Sequence, residues 1–252
     1  MTSFDTVAAF SLLLVRPGML IMGTPFLGAL SAPPQMRIGL TLLLAIVLVP
    51  FVTMPVALSA GALTLVVLRE VAIGAALTLA IRVLISGAEF AGHFIGYQIG
   101  LSIGSLIDPQ SGVRNNVLAL LYANVTTVVC LASNAHHALL RALADSYAAL
   151  PVGAGGLNAK LATSVADTLG LVFVLGMRIA APVVVVLLLV ELALGLLARV
   201  APSLNVMTAG APIRVTVGLL VVAASMTALP SVIGRYVPTV FHLSASTAQA
   251  FR

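Results

Sequence analysis

Charge is scarce in this chain. Lys, Arg, Asp and Glu make up only 8% of the 252 residues, while 61% are hydrophobic and mean hydropathy is +1.19. A soluble domain carries roughly 25% charged residues. This chain cannot coat a globular surface with charge, so an integral membrane protein is expected. Cysteine is almost absent too. The single Cys130 excludes an internal disulfide and any metal site built on a cysteine pair. No G-x-S-x-G, H-E-x-x-H or P-loop pattern occurs, so neither an enzyme nor a cofactor nor a metal is expected. His136 and His137 are adjacent and point to different helix faces, which suits an interfacial polar surface better than chelation. Strand-like alternation bounded by turns is also missing. The start, MTSFDTVAAF, lacks the basic residues of a cleaved signal peptide, so the first apolar segment is expected to be retained. The net charge of +5 is read as topology, not as nucleic-acid binding.

What the chain has is long apolar runs, near 7–30, 38–57, 61–81, 83–107, 117–133, 162–198 and 207–229. About 20 helical residues cross roughly 30 Å of hydrocarbon. The expected fold is all-α and polytopic, with six to seven apolar helices. The sixth run is too long for one straight crossing and holds Arg178 and Pro182, which predicts a kinked helix. Residues 134–150 predict a short amphipathic helix, with Leu139, Leu140, Leu143, Tyr147 and Leu150 on one side and Arg141 and Asp145 on the other. Residues 151–158 (PVGAGGLN) form the one clear linker. It divides the chain into an N-terminal part, 1–150, and a C-terminal part, 159–252, read as a helical hairpin turning at Arg199–Asn205 and followed by a tail. With seven crossings and an outside N-terminus, the inside loops and tail hold Arg37, Arg82, Arg141, Lys160, Arg235 and Arg252, against Arg114 and Arg199 outside. By the positive-inside rule this puts the C-terminus in the cytoplasm.

Gly92, Gly96, Gly100 and Gly104 recur every fourth residue in the fourth run, an expected helix-packing stripe where backbones approach closely. Each four-residue step drifts by about 40°, so neighbouring helices must wrap round the stripe. Gln98 and Ser102 share another strip, suited to a helix contact or a wet channel. Proline disfavours helix at the residue before it, so the run is expected to end at Asp108-Pro109. The stretch Ser105–Asn116 is the most polar between two apolar runs. Its Asp108, Ser111, Arg114, Asn115 and Asn116 need water or protein partners. It is either a solvated loop or a loop buried in protein or lining a channel.

Charges inside the runs face partners or water, because lipid penalises them. They are Arg16, Arg69, Glu70, Arg82, Glu89, Arg178, Glu191 and Arg214. Arg82 and Glu89 lie two turns apart on one face. One reading makes Glu89 or Glu191 an ion site of a small-solute transporter or channel. The other, favoured because no Asp/Glu/His relay is evident, makes these charges contacts between helices or subunits. No internal repeat of the transporter kind is seen.

Three stretches carry a family resemblance: Gly96-Tyr97-Gln98-Ile99-Gly100-Leu101-Ser102 leading to Asp108-Pro109-Gln110-Ser111-Gly112; Gly195 to Asn205, GLLARVAPSLN; and Pro212-Ile213-Arg214. The chain resembles the FliR family, an inner-membrane component of the bacterial flagellar type III export gate, whose injectisome counterpart is the SctT family. The Gln-x-Gly-x-Ser form looks more like the flagellar branch. The resemblance implies a FliP-like part, 1–150, joined through the linker to a FliQ-like hairpin. It implies assembly with FliP-like and FliQ-like subunits round a channel for unfolded proteins, beside FlhA-like and FlhB-like export components, in the inner membrane at the basal body. Carried over, Ser105–Asn116, with Pro109, Gln110 and Gly112, is a plug reaching the lumen. Arg199, Pro202 and Asn205 join Arg82, Glu89, Glu191 and Arg214 as contacts between helices or subunits.

Overall fold

A computed structural model describes residues 9–26, 33–52, 60–101, 116–153, 159–201 and 206–249. Its helices are α1 (Val15–Gly23), α2 (Pro34–Leu48, prolonged by a 3-10 turn, Val49–Phe51), α3 (Ala60–Ile99), α4 (Val117–Ala132), α5 (Ala135–Ala149), α6 (Ala159–Val200), α7 (Val206–Met226) and α8 (Leu229–Gln249). There is no strand among the described residues. Among the described residues three helical spans are long and apolar enough to cross a membrane. The bent pairs α4–α5 (68°) and α7–α8 (55°) bring the number to five if each is one span. The protein is an all-α polytopic membrane protein.

Two sequence expectations change. The runs 61–81 and 83–107 are not separate crossings. Nothing around Arg82 breaks a helix, and α3 continues through it for 40 residues. At 1.5 Å per residue α3 is about 60 Å long, twice the roughly 30 Å of hydrocarbon. Arg82 therefore sits within a helix, not a loop, and the loop parity behind the positive-inside count is lost. As expected, the sixth run is one helix, 42 residues long, with Pro182 inside it. The expected C-terminal tail is α8. Leu229, Ile233, Val240, Ser244 and Thr247 are buried along it at helical spacing.

The chain divides into two compact units that cut across its order: Met1–Val83 with Cys130–Gly170 and Val237–Arg252, and Leu84–Val129 with Leu171–Tyr236. In the first, α1 meets α3 at Gly74, where an added Cβ would lie 2.7 Å from the Met19 Cβ and 3.3 Å from the Arg16 Cα. That close approach seats Arg16 on Glu70, both fully buried. Arg16 Nε donates to Glu70 Oε2 at 2.5 Å, and Nη2 donates to Oε1 at 3.1 Å. Nη1 donates to the Ser146 carbonyl (3.0 Å) and hydroxyl (3.2 Å), and Nη2 also to the Leu150 carbonyl at 2.9 Å. The guanidinium lies 4.4 Å over the Tyr147 ring, whose hydroxyl donates to the Leu13 carbonyl at 2.9 Å. The Gly153 N–H donates to Glu70 Oε1 at 3.2 Å. This satisfied ionic knot ties α1, α3 and α5 to the start of the 151–158 connection. By contrast α2 leaves Met36, Ile38, Leu43, Ile46 and Val47 exposed.

The second unit is built on glycine contacts. A Cβ on Gly176 of α6 would lie 2.9 Å from the Gly87 carbonyl of α3, and one on Gly218 of α7 would lie 2.6 Å from Ile99 Cγ1. Such contacts let helices pack where lipid removes the hydrophobic drive. Tyr122 and Ser225 hydroxyls meet at 3.3 Å between α4 and α7.

Candidate functional site

The glycine helix stops earlier than its apolar sequence does. Gly100 has φ 92°, a left-handed conformation. Its N–H bonds the Tyr97 and Gly96 carbonyls, both at 3.1 Å, and the Leu101 N–H bonds the Gly96 carbonyl at 3.0 Å. This is the Schellman termination, which glycine adopts with no Cβ penalty. Gly100 is therefore the terminator of α3 and not a rung within it. The expected end at Asp108-Pro109 is corrected: a backbone-determined stop at Ile99 overrides an apolar composition that would have tolerated more helix.

The helix after this polar stretch is capped by Asn116. The Asn116 Oδ1 accepts the Leu118 N–H at 2.9 Å, an N-cap for α4. Its Nδ2 donates to the Gly92 and His93 carbonyls of α3 at 3.3 and 3.4 Å. Gly96 supplies the room, since a Cβ there would overlap the Asn116 amide. One turn back, a Cβ on Gly92 would lie 2.6 Å from the Ala119 nitrogen and 2.7 Å from the Leu118 carbonyl. The Gly92–Gly96 groove thus receives the first turn of α4 of the same chain. Both ends of the intervening polar segment are fixed at one place, by a glycine stop on one side and a bridging cap on the other.

Ser102, Gly104, Asp108, Pro109, Gln110, Ser111, Gly112, Arg114 and Asn115 lie outside the described residues, as do Pro202 and Asn205. Gln98 is half-buried beside the terminator. Arg82 and Glu89 are exposed on α3, and neither joins an ion pair among the described residues. Glu191 of α6 lies 3.5 Å from Arg214 of α7, and Arg199 is exposed near the end of α6. Arg178 lies 5.6 Å over the Tyr236 ring. Among the described residues no three His, Cys, Asp or Glu side chains gather where a metal would be held.

Sequence reasoning missed the Arg16–Glu70 pairing, the Gly87–Gly176 contact and the terminator role of Gly100. It also missed the N-cap role of Asn116, and local signals existed for this and for Gly100. An Asn directly before an apolar run is an N-cap signature, and Gly at the end of a periodic stretch is a stop signature. The charge pair links residues far apart in sequence, with no local pattern.

The fold and the site define a polytopic helical membrane protein in which Asn116 joins the start of α4 to the glycine face of α3. Its sequence matches the bacterial export proteins, family 1, over residues 7–239, and the chain belongs to that family. It is similar to the flagellar biosynthetic protein FliR of Bacillus subtilis, with 31% identity covering 96% of this chain and 94% of the relative. It is also similar to FliR of Escherichia coli, 33% identical over 84% of this chain and 82% of the relative. FliR of Pectobacterium carotovorum is 30% identical over 92% of this chain and 89% of the relative.

Proposed function

We propose that this protein is a structural subunit of the flagellar type III export gate in the bacterial inner membrane, and that it forms and plugs part of the channel for unfolded flagellar proteins. Family membership and the FliR relatives support the export role. The observation that carries the plug is the clamp. Asn116 bridged to Gly92 and His93, and Gly100 stopping α3, fix the two ends of the polar stretch between them, and on this reading that stretch reaches the lumen. An export substrate displaces the loop without disturbing the helices that bear it. Energy comes from the associated ATPase and the proton motive force, and the protein contributes geometry and sealing. FliP-like and FliQ-like subunits surround it, and FlhA-like and FlhB-like components act beside it.

In this reading residues 1–150 are a FliP-like part and 159–252 a FliQ-like hairpin, joined at the connection that Glu70 anchors through Gly153. Co-expression with the FliP-like and FliQ-like proteins of the same cell tests the proposal. A stable complex that restores flagellar export to a strain lacking this gene is expected. A monomer that moves a small solute on its own overturns it.

A further inference from the structure

The first unit contains a cavity of about 420 Å³ that the export reading does not use. Its size falls within the roughly 300–1,000 Å³ of small-molecule sites. It lies between α5 and α8, with Leu77 of α3 at its base. Its buried and half-buried lining is mostly apolar, with Leu77, Ala142, Leu150 and Phe241 beside the buried Ser146. The rim is not: it carries Arg141 and Asp145 on α5 and His242 on α8, all exposed.

Arg141 and Asp145 stand one turn apart on the same face, where side chains of opposite charge usually pair. They form no salt bridge among the described residues. The basic residue precedes the acidic one, the less favourable order along a helix. A cation and an anion one turn apart, both free and both above a mostly apolar floor, are complementary to a ligand with the opposite pair of charges and a hydrocarbon tail. We propose that this cleft binds a zwitterionic phospholipid whose headgroup carries a primary ammonium, namely a phosphoethanolamine lipid. The guanidinium takes the phosphate, for which its donor geometry is suited. Asp145 accepts hydrogen bonds from the ammonium. The two-carbon link of the headgroup spans roughly one helical turn, about 5.4 Å. An acyl chain covers the floor. A purely anionic lipid satisfies Arg141 but meets repulsion from Asp145, and a trimethylated headgroup offers Asp145 no N–H. The amphipathic character of α5, which follows directly on the apolar α4, suits a position at the membrane interface.

The test uses the full chain purified with its co-expressed partners. It is stripped of lipid in detergent and offered equal mixtures of phosphatidylethanolamine, phosphatidylcholine and phosphatidylglycerol with identical acyl chains; retained lipid is counted by native mass spectrometry. Phosphatidylethanolamine should be enriched about tenfold over the others, the factor that 1.4 kcal/mol of selective binding yields. Asp145→Asn should abolish the preference over phosphatidylglycerol while lipid is still retained, and Arg141→Ala should remove retention of all three. Both residues are exposed, so elution volume and helicity should match the parent. Equal retention of the three headgroups overturns the proposal, as does a preference that survives Asp145→Asn, or a cleft closed to lipid in the complex. The outcome is independent of export, because the cleft shares no residue with the clamp.

Discussion

At the scale of single residues, three side-chain decisions do most of the work. Arg16 and Glu70 form the most heavily bonded charge pair described, and their worth lies in completeness. Removing one partner of a buried pair leaves an uncompensated charge, which typically costs about 3–5 kcal/mol. Glu70→Gln should therefore lower the melting temperature in detergent strongly, and the double variant Arg16→Met with Glu70→Met should recover most of the loss. A double variant as unstable as the single one would mean that the charges themselves are required. Gly100 and Asn116 are the other two. Gly100→Ala forces a left-handed non-glycine residue, about 1–2 kcal/mol. Asn116→Ala removes an N-cap, about 1 kcal/mol, together with the bridge to α3. Asn116→Asp should restore the cap but not the bridge. Hydrogen exchange at Leu118 against that at the loop base separates the two roles.

At the scale of elements, the ladder of glycines splits into two jobs. Gly92 and Gly96 admit α4, Gly100 ends α3, and Gly104 lies outside the described residues. Gly96→Leu must expel the Asn116 amide, and overpacking of this kind costs about 1–3 kcal/mol. Gly96→Ala should be milder, and should be relieved by Asn116→Ala in a double-mutant cycle. Additive effects would show that the two residues do not meet. The apolar runs revealed the helices, because 3.6-residue burial and hydropathy leave local marks. The junctions were less legible. Arg82 looked like a loop charge because loops are where arginines in membrane proteins usually lie, yet its neighbours all favour helix. The helix α8 was hidden by Pro230 and Pro238, although its buried positions keep helical spacing. The clamp was half legible. Its residues stood out as glycines and a polar flank, but the Asn116 bridge joins residues 23 and 24 positions apart, which no local pattern encodes.

At the scale of the whole molecule, the lengths of α3 and α6 decide what the protein needs around it. Helices of 40 and 42 residues overshoot a bilayer about twofold. Yet α6 exposes Phe173, Leu189, Leu192 and Leu196 along its course. Apolar surface beyond the hydrocarbon needs protein cover, so the chain expressed alone should be degraded or aggregate, and co-expression with its partners should restore its level. Equal steady-state amounts in the two conditions would argue that the surface is covered by lipid. On the proposed function, export requires a passage that is closed at rest, and the polar stretch between Gly100 and Asn116 supplies the closure. Deleting Asp108–Arg114 leaves Gly100 and Asn116 in place, so the complex should still assemble. The decisive measurement is ion conductance of the inner membrane in cells carrying the assembled deletion variant. The account predicts a leak absent from the parent. An assembled variant whose membrane stays as tight as the parent's would contradict it.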